Sequence, residues 1–239
     1  MALVIAEIGL NHNGDMDLAR CLIEEAHAAG ADVAKFQFFD ASKYFPPDFE
    51  WMHACLRARI DYEKAARLRD HCERVGIEFC VSSFDLDGLG WAERLGVRRH
   101  KLASRCIEQR ELLDAMAATG TDMIVSLGMW KGEEFPEIES LGRVEFLYCV
   151  AKYPTPLSDL DFERIDFRRY AGFSDHTLGI DAACVAVARG ARIIEKHFTL
   201  SKKMYGPDHA CSAEPHELRA LVEVARRYEA VLGAKGACK

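Results

Sequence analysis

Strand-like apolar runs in this sequence end, one after another, on polar residues. LVIAEIGL (3–10) carries Glu7, with Asn11 and His12 just after it, and DVAKFQFF (32–39) carries Lys35 and Gln37. IEFCVSSF (77–84) offers Ser82 and Ser83, RRHKLAS (98–104) offers Lys101 and Ser104, and DMIVSLG (122–128) offers Ser126. The loop after VEFLYCV (144–150) brings Lys152 and Tyr153. YAGFSDH (170–176) closes on Ser174, Asp175 and His176, and ARIIEKHF (191–198) on Glu195, Lys196 and His197. A polar group inside an apolar strand costs about 1–3 kcal/mol unless it is satisfied. Eight such endings are hard to explain by folding alone.

The residue types suggest what they would do together. Lys35 and Lys101, with the hydroxyls of Ser83, Ser104, Ser126 and Ser174, form a donor set suited to a phosphate or carboxylate. His176 and His197 end neighbouring strands, and two imidazoles beside a carboxylate suit a divalent metal acting as a Lewis acid. Glu7 is either a base or a holder of a substrate hydroxyl. An anion site next to a metal implies a phosphorylated or carboxylated substrate whose partner the metal polarises. Taken singly, a strand-end lysine or serine is more often a solvated rim residue. The pair of histidines together with the Ser/Lys set reverses that. Asp175 either orients a ring or caps the turn after it. Alternation along ARIIEKHF lets one parity face inward, which sends Lys196 toward the helices. Cys106 and Cys211 read as packing residues rather than ligands.

The elements that must position these residues alternate regularly. Asp15 caps a helical run through Leu18, Cys21, Leu22 and Ala26 that Gly30 stops, and Tyr62, Ala65, Ala66, Arg69 and Cys72 form another before Gly76. Residues 40–60 read as irregular, and the segments 131–141 and 158–168 as weak helices. Eight strands alternating with eight helical or near-helical segments predict a single-domain (β/α)8 TIM barrel over 1–239. The rival, a doubly wound sheet, lacks a glycine-rich dinucleotide loop after its first strand. In a barrel the strand ends and the following loops share one rim, where the polar residues above would meet.

Composition narrows the class. A net charge of −7 with no basic run argues against nucleic acid as a partner. Nine cysteines, an odd number without a CxxC pair, suit free thiols in a reducing compartment. The start, MALVIAEIGLNHNG, has no basic n-region and breaks at Glu7, so it reads as neither a signal peptide nor a membrane span. The expectation is a cytoplasmic protein with no membrane partner.

Three blocks carry a resemblance: IAEIGLNHNGDMDLARCLIEEAHAAGADVAKFQFF, FSDHTLG, and IIEKHFTLSKKMYGPDHACSAEPHEL. Together they resemble the barrel domain of the sialic acid (N-acetylneuraminate) synthase family, over residues 4 to 230. The resemblance implies condensation of phosphoenolpyruvate with the open-chain aldehyde of a sugar such as an N-acetylhexosamine. Phosphate would leave by C–O cleavage, and a divalent metal, typically Mn2+ with Mg2+ as the alternative, would polarise the aldehyde. It implies that Glu7 contacts the acceptor and helps the proton transfers. Lys35 and Lys101 would bind phosphoenolpyruvate with Ser83, Ser104, Ser126 and Ser174, and Gln37 would join the substrate-binding set. His176 and His197 would hold the metal, and Tyr153 and Asp208 would line the acceptor side. A homodimer is compatible with the resemblance.

The sequence also departs from the family. A GSGE-like turn becomes Ala103-Ser104-Arg105-Cys106, so Cys106 stands where a glutamate linked to the metal through water is usual. Ala151 replaces an asparagine donor, and Arg105 is expected to compensate with a new phosphate contact. The STG of the fifth strand is Ser126-Leu127-Gly128, and the loop after the second strand is short. The sequence ends after the eighth helix, before the family's antifreeze-like domain. It is then either a piece of a longer chain or a barrel that stands alone with a different acceptor. Two other functions fit the same residues: a metal-dependent sugar-phosphate aldolase, lyase or isomerase, and a ligand-binding barrel without turnover.

Overall fold

A computed structural model describes residues 2–233. Eight parallel strands close in sequence order, each paired with the next and β8 with β1. The order is β1 (Leu3–Gly9), α1 (Met16–Ala28), β2 (Val33–Phe38), α2 (Met52–Arg57), α3 (Tyr62–Val75), β3 (Glu78–Ser83) and α4 (Leu86–Leu95). Then follow β4 (Arg99–Leu102), α5 (Arg110–Ala118), β5 (Asp122–Ser126), β6 (Val144–Cys149), β7 (Gly172–Asp175), α6 (Asp181–Ala188), β8 (Ile193–His197) and α7 (Pro215–Gly233). This is a (β/α)8 barrel.

Alternation along each strand builds two apolar layers. Ile5, Val33, Cys80, Ile124, Leu147 and Ile193 fill the barrel's interior. Val4, Ala6, Ala34, Phe79 and Ile194 point the other way and pack beneath the helices with Leu22, Leu68 and Leu221. Helix ends follow local chemistry. The Asp15 carboxylate accepts from the backbone N–H groups of Asp17 and Leu18, and Gly76 ends α3 at φ +90°.

Two expected helices do not form. Residues 131–141, interrupted by Gly132 and Pro136, hold no helix, and the segment after β6 contains only a 3-10 turn at Leu157–Asp159. There Asp166 accepts from the Arg168 backbone N–H through its side chain, offering the backbone an alternative to a helical ladder. Aromatic rings cover the sheet instead. Phe135 packs on Phe146 and Tyr170, and Phe162 packs on Tyr148 and Phe173. The segment 40–60 is more ordered than expected, with a 3-10 turn at Ala41–Lys43 before α2. The eight cysteines among the described residues are all free, and among these residues no helix is long and apolar enough to cross a membrane.

Candidate active site

The inward parity at the C-terminal ends of the strands lines a cavity of about 420 Å³. Its floor is a buried ionic cluster. Lys35 Nζ lies 2.6 Å from Glu7 Oε2 and 3.5 Å from Glu195 Oε2, and Lys101 Nζ lies 3.7 Å from Glu195 Oε1. Hydroxyls complete the shell. Lys35 donates to Ser82 Oγ at 2.8 Å, Lys101 donates to Ser126 Oγ at 2.9 Å, and Ser174 donates to Glu195 Oε1 at 2.9 Å. Gln37 donates to Glu7 Oε1 at 2.6 Å. Gly9 makes that contact feasible: it sits at φ +52°, and a Cβ there would stand 3.0 Å from Gln37 Nε2 and 3.2 Å from Glu7 Oε1.

Burial raises the pKa of both carboxylates, and their unequal share of the lysines drives the two apart. Burial pushes the Glu7 pKa up to about 7 against the pull of Lys35. Burial also resists charge on Glu195, but Lys101, Lys35 and the Ser174 hydroxyl outweigh it and draw that pKa down to about 2. Glu195 is therefore the fixed anion of the cluster, and Glu7 is the group poised near neutrality. Burial lowers the pKa of Lys101, whereas at Lys35 it is overcome by Glu195 and Glu7 and the pKa rises.

On the β7–β8 side the rings of His176 and His197 have centroids 5.6 Å apart. His176 Nδ1 lies 2.9 Å from the Val150 carbonyl oxygen and donates to it, which leaves Nε2 as the atom that a metal would take from the neutral ring. Burial resists a charge on this ring, but Cys149 and the Val150 carbonyl outweigh it and raise its pKa. Burial, and then the charge of His176, hold His197 well below its usual pKa, in the neutral form that binds metals. His197 Nδ1 is buried without a hydrogen-bond partner, 3.9 Å from Asp208 Oδ2. An orphaned buried nitrogen on a neutral imidazole, facing a second imidazole, fits a divalent ion. Among the described residues no third His, Cys, Asp or Glu joins the pair as a ready-made ligand set, so such an ion would keep open positions. Tyr153 covers the histidines, its ring centroid 4.1 Å from that of His176.

Asp208 is held by its own loop. Ser212 Oγ donates to the Asp208 carbonyl, and Asn11 Nδ2 donates to Ser212 Oγ and to the Phe198 carbonyl. Burial raises the Asp208 pKa to about 6. Asn11 thus ties the β1 loop to the loop carrying Asp208.

The cavity brings together Glu7, Lys35, Gln37, Lys101, Ser104, Arg105, Ser126, Tyr153, Ser174, His176, His197 and Asp208. Ser83 is a correction. It falls on the outward parity of β3, its Oγ buried without a partner, and Ser82 takes the place next to Lys35. Glu195, which the sequence offers as a strand-end residue without a role, lines the cavity between the two lysines, and Cys149, which the sequence presents as an apolar strand residue, lines it too. Cys149 Sγ lies 3.5 Å from Ser104 Oγ and 3.8 Å from His176 Nδ1. Asp175 and Lys196 face away from the cavity and pair at 3.0 Å, both fully buried. Asp175 also accepts from the Thr177 backbone N–H, capping the turn. Cys106 turns into the apolar core, where burial pushes its thiol up to about 11.

The NeuB family model matches residues 22–237. The chain belongs to the NeuB family. Among NeuB relatives, N,N'-diacetyllegionaminic acid synthase of Campylobacter jejuni is 33% identical over 97% of this chain and 77% of its own length. The human N-acetylneuraminate-9-phosphate synthase is 31% identical, covering 97% of this chain and 71% of that protein. In structure the chain is similar to the N-acetylneuraminic acid synthetase of Leptospira borgpetersenii, with a TM-score of 0.88 and 34% identity over 97% of this chain and 85% of that one.

Proposed function

We propose that this NeuB barrel joins phosphoenolpyruvate to the open-chain aldehyde of an N-acetylhexosamine-like aldose, giving a 3-deoxy-2-keto sugar acid and inorganic phosphate. One observation carries the reading: the Glu7–Lys35–Glu195–Lys101 cluster and the His176–His197 pair share one cavity. The synthase names of the relatives support it. The carbon–carbon bond forms from C3 of phosphoenolpyruvate to the aldehyde carbon, and water adds at C2. The C2–O bond then breaks, phosphate leaving with the electron pair, and loss of the hydroxyl proton completes the ketone.

Lys35 and Lys101, with the Ser82, Ser104, Ser126 and Ser174 hydroxyls, supply donors for the phosphate and carboxylate of phosphoenolpyruvate. In the free protein Glu7 and Glu195 balance the lysines' charge. An arriving anion competes with Glu7 for Lys35, which raises Glu7 further and favours its protonated form. Glu7 then gives its proton to the aldehyde oxygen and recovers one from the water that adds at C2. A divalent ion, Mn2+ or Mg2+, held by His176 and His197 would polarise the aldehyde carbonyl. Asp208 and Tyr153 border that side and orient the acceptor's hydroxyls.

The test is phosphate release from phosphoenolpyruvate with Mn2+, with and without aldehyde sugars. The reading expects release only when an aldehyde is present. Metal-dependent loss of phosphoenolpyruvate at the same rate without an acceptor would assign the barrel to a different lyase chemistry.

A further inference from the structure

We infer that Arg105 and the aromatic wall facing it form a subsite for an anionic group on the acceptor sugar, a phosphate or a carboxylate at the end far from the aldehyde; this rests on the synthase reading above. The cavity has two zones. The floor holds Lys35 and Lys101, both ion-paired with buried carboxylates. The outer zone is apolar, lined by Phe39, Phe45, Phe49, Trp51, Phe84 and Met129. Arg105 is the cation of that outer zone. Its guanidinium packs over the Phe45 ring, 4.7 Å from the centroid, and among the described residues no carboxylate pairs with it.

Phe45 is itself fixed by stacking on Phe49, centroids 4.0 Å apart and planes 11° from parallel. A guanidinium resting on a fixed ring keeps its planar fork of donors free for a carboxylate or phosphate.

Position assigns the anion to the acceptor rather than to phosphoenolpyruvate. Arg105 follows β4, whereas His176 and His197 close β7 and β8, and β4 stands opposite β8 in a ring of eight strands. An aldose with its aldehyde at the histidines extends across the mouth toward Arg105. The floor lysines are left to phosphoenolpyruvate.

The test is calorimetric titration of the full chain with Mn2+ present, using an N-acetylhexosamine, its 6-phosphate, the corresponding hexuronate, and separately phosphoenolpyruvate. The wild type should bind the 6-phosphate or the hexuronate about tenfold or more tightly than the neutral sugar, the worth of one charge-assisted contact. Which charged sugar is preferred distinguishes phosphate from carboxylate. Arg105→Ala should erase the preference while its affinity for phosphoenolpyruvate stays within about twofold, and Arg105→Lys should keep part of it. Arg105 is exposed, so these variants are expected to fold. Equal binding of the three sugars, absence of binding included, overturns the subsite. So does an Arg105→Ala protein that loses phosphoenolpyruvate as strongly as the charged sugar. Failure to release phosphate with any aldehyde overturns the synthase reading instead, and the charge preference in binding still decides the subsite.

Discussion

The carboxylate of Glu7 and the ammonium of Lys35, register partners on β1 and β2, stand 2.6 Å apart with both side chains sealed from solvent. Lys35 also faces Glu195 at 3.5 Å, so one cation holds two buried carboxylates apart. Removing it takes the countercharge from Glu7, which then takes up a proton, and leaves the buried Glu195 anion with Lys101 alone. Lys35→Met should therefore lower stability by about 3–5 kcal/mol, the range for breaking a buried pair. Glu7→Gln should cost less, because Lys35 keeps Glu195 and Ser82. Urea unfolding of both variants checks the order.

The Asp175–Lys196 pair is a second buried bridge, but it lies outside the barrel wall. Asp175→Asn should destabilise by a comparable amount, about 3–5 kcal/mol, because it leaves a fully buried ammonium without a countercharge. The KM for phosphoenolpyruvate should not move in the folded fraction, since neither side chain reaches the cavity. Replacing both residues with apolar ones of similar volume should recover most of the loss. A KM change in Asp175→Asn would place the pair in the site after all.

Acid should weaken the fold through histidines buried neutral. Burial lowers His12 and His209 from 6.5 to about 4. Between those values the unfolded chain binds protons that the folded one refuses. Their contribution is thus present above pH 6.5 and lost as the pH falls toward 4. His12→Asn should flatten this acid limb in unfolding curves measured from pH 7 to 4. An unchanged slope would show that His12 is protonated alike in both states.

Metal affinity should depend on both imidazoles. His197→Ala and His176→Ala should each weaken Mn2+ binding by at least about tenfold in calorimetric titration. Asp208→Asn, 3.9 Å from His197, should have a smaller effect. Equal binding by wild type and His197→Ala would make the histidines structural.

The barrel was legible because each strand repeats every two residues, each helix every 3.6, and turn glycines such as Gly76 separate them. The two missing helices were not, since Phe135 and Phe162 cover the sheet through tertiary packing that no local period records. The site was legible as a set of strand-end polar residues but less so atom by atom. Ser82 and Ser83 are adjacent and chemically identical, and only the β3 register decides which faces Lys35. Glu195 shares its parity with His197, yet a carboxylate between two lysines is visible only once β2 and β4 are brought together across the barrel. Cys149 looked like any apolar strand residue, because nothing in its sequence neighbourhood reveals His176.

The most direct test of the central claim is mass analysis of the product formed from phosphoenolpyruvate and an N-acetylhexosamine aldehyde in the presence of Mn2+. The account predicts a single new acid equal to the sugar plus one pyruvate equivalent, formed in step with inorganic phosphate and abolished in Lys101→Met. Recovery of the sugar unchanged, with pyruvate as the product, would contradict it.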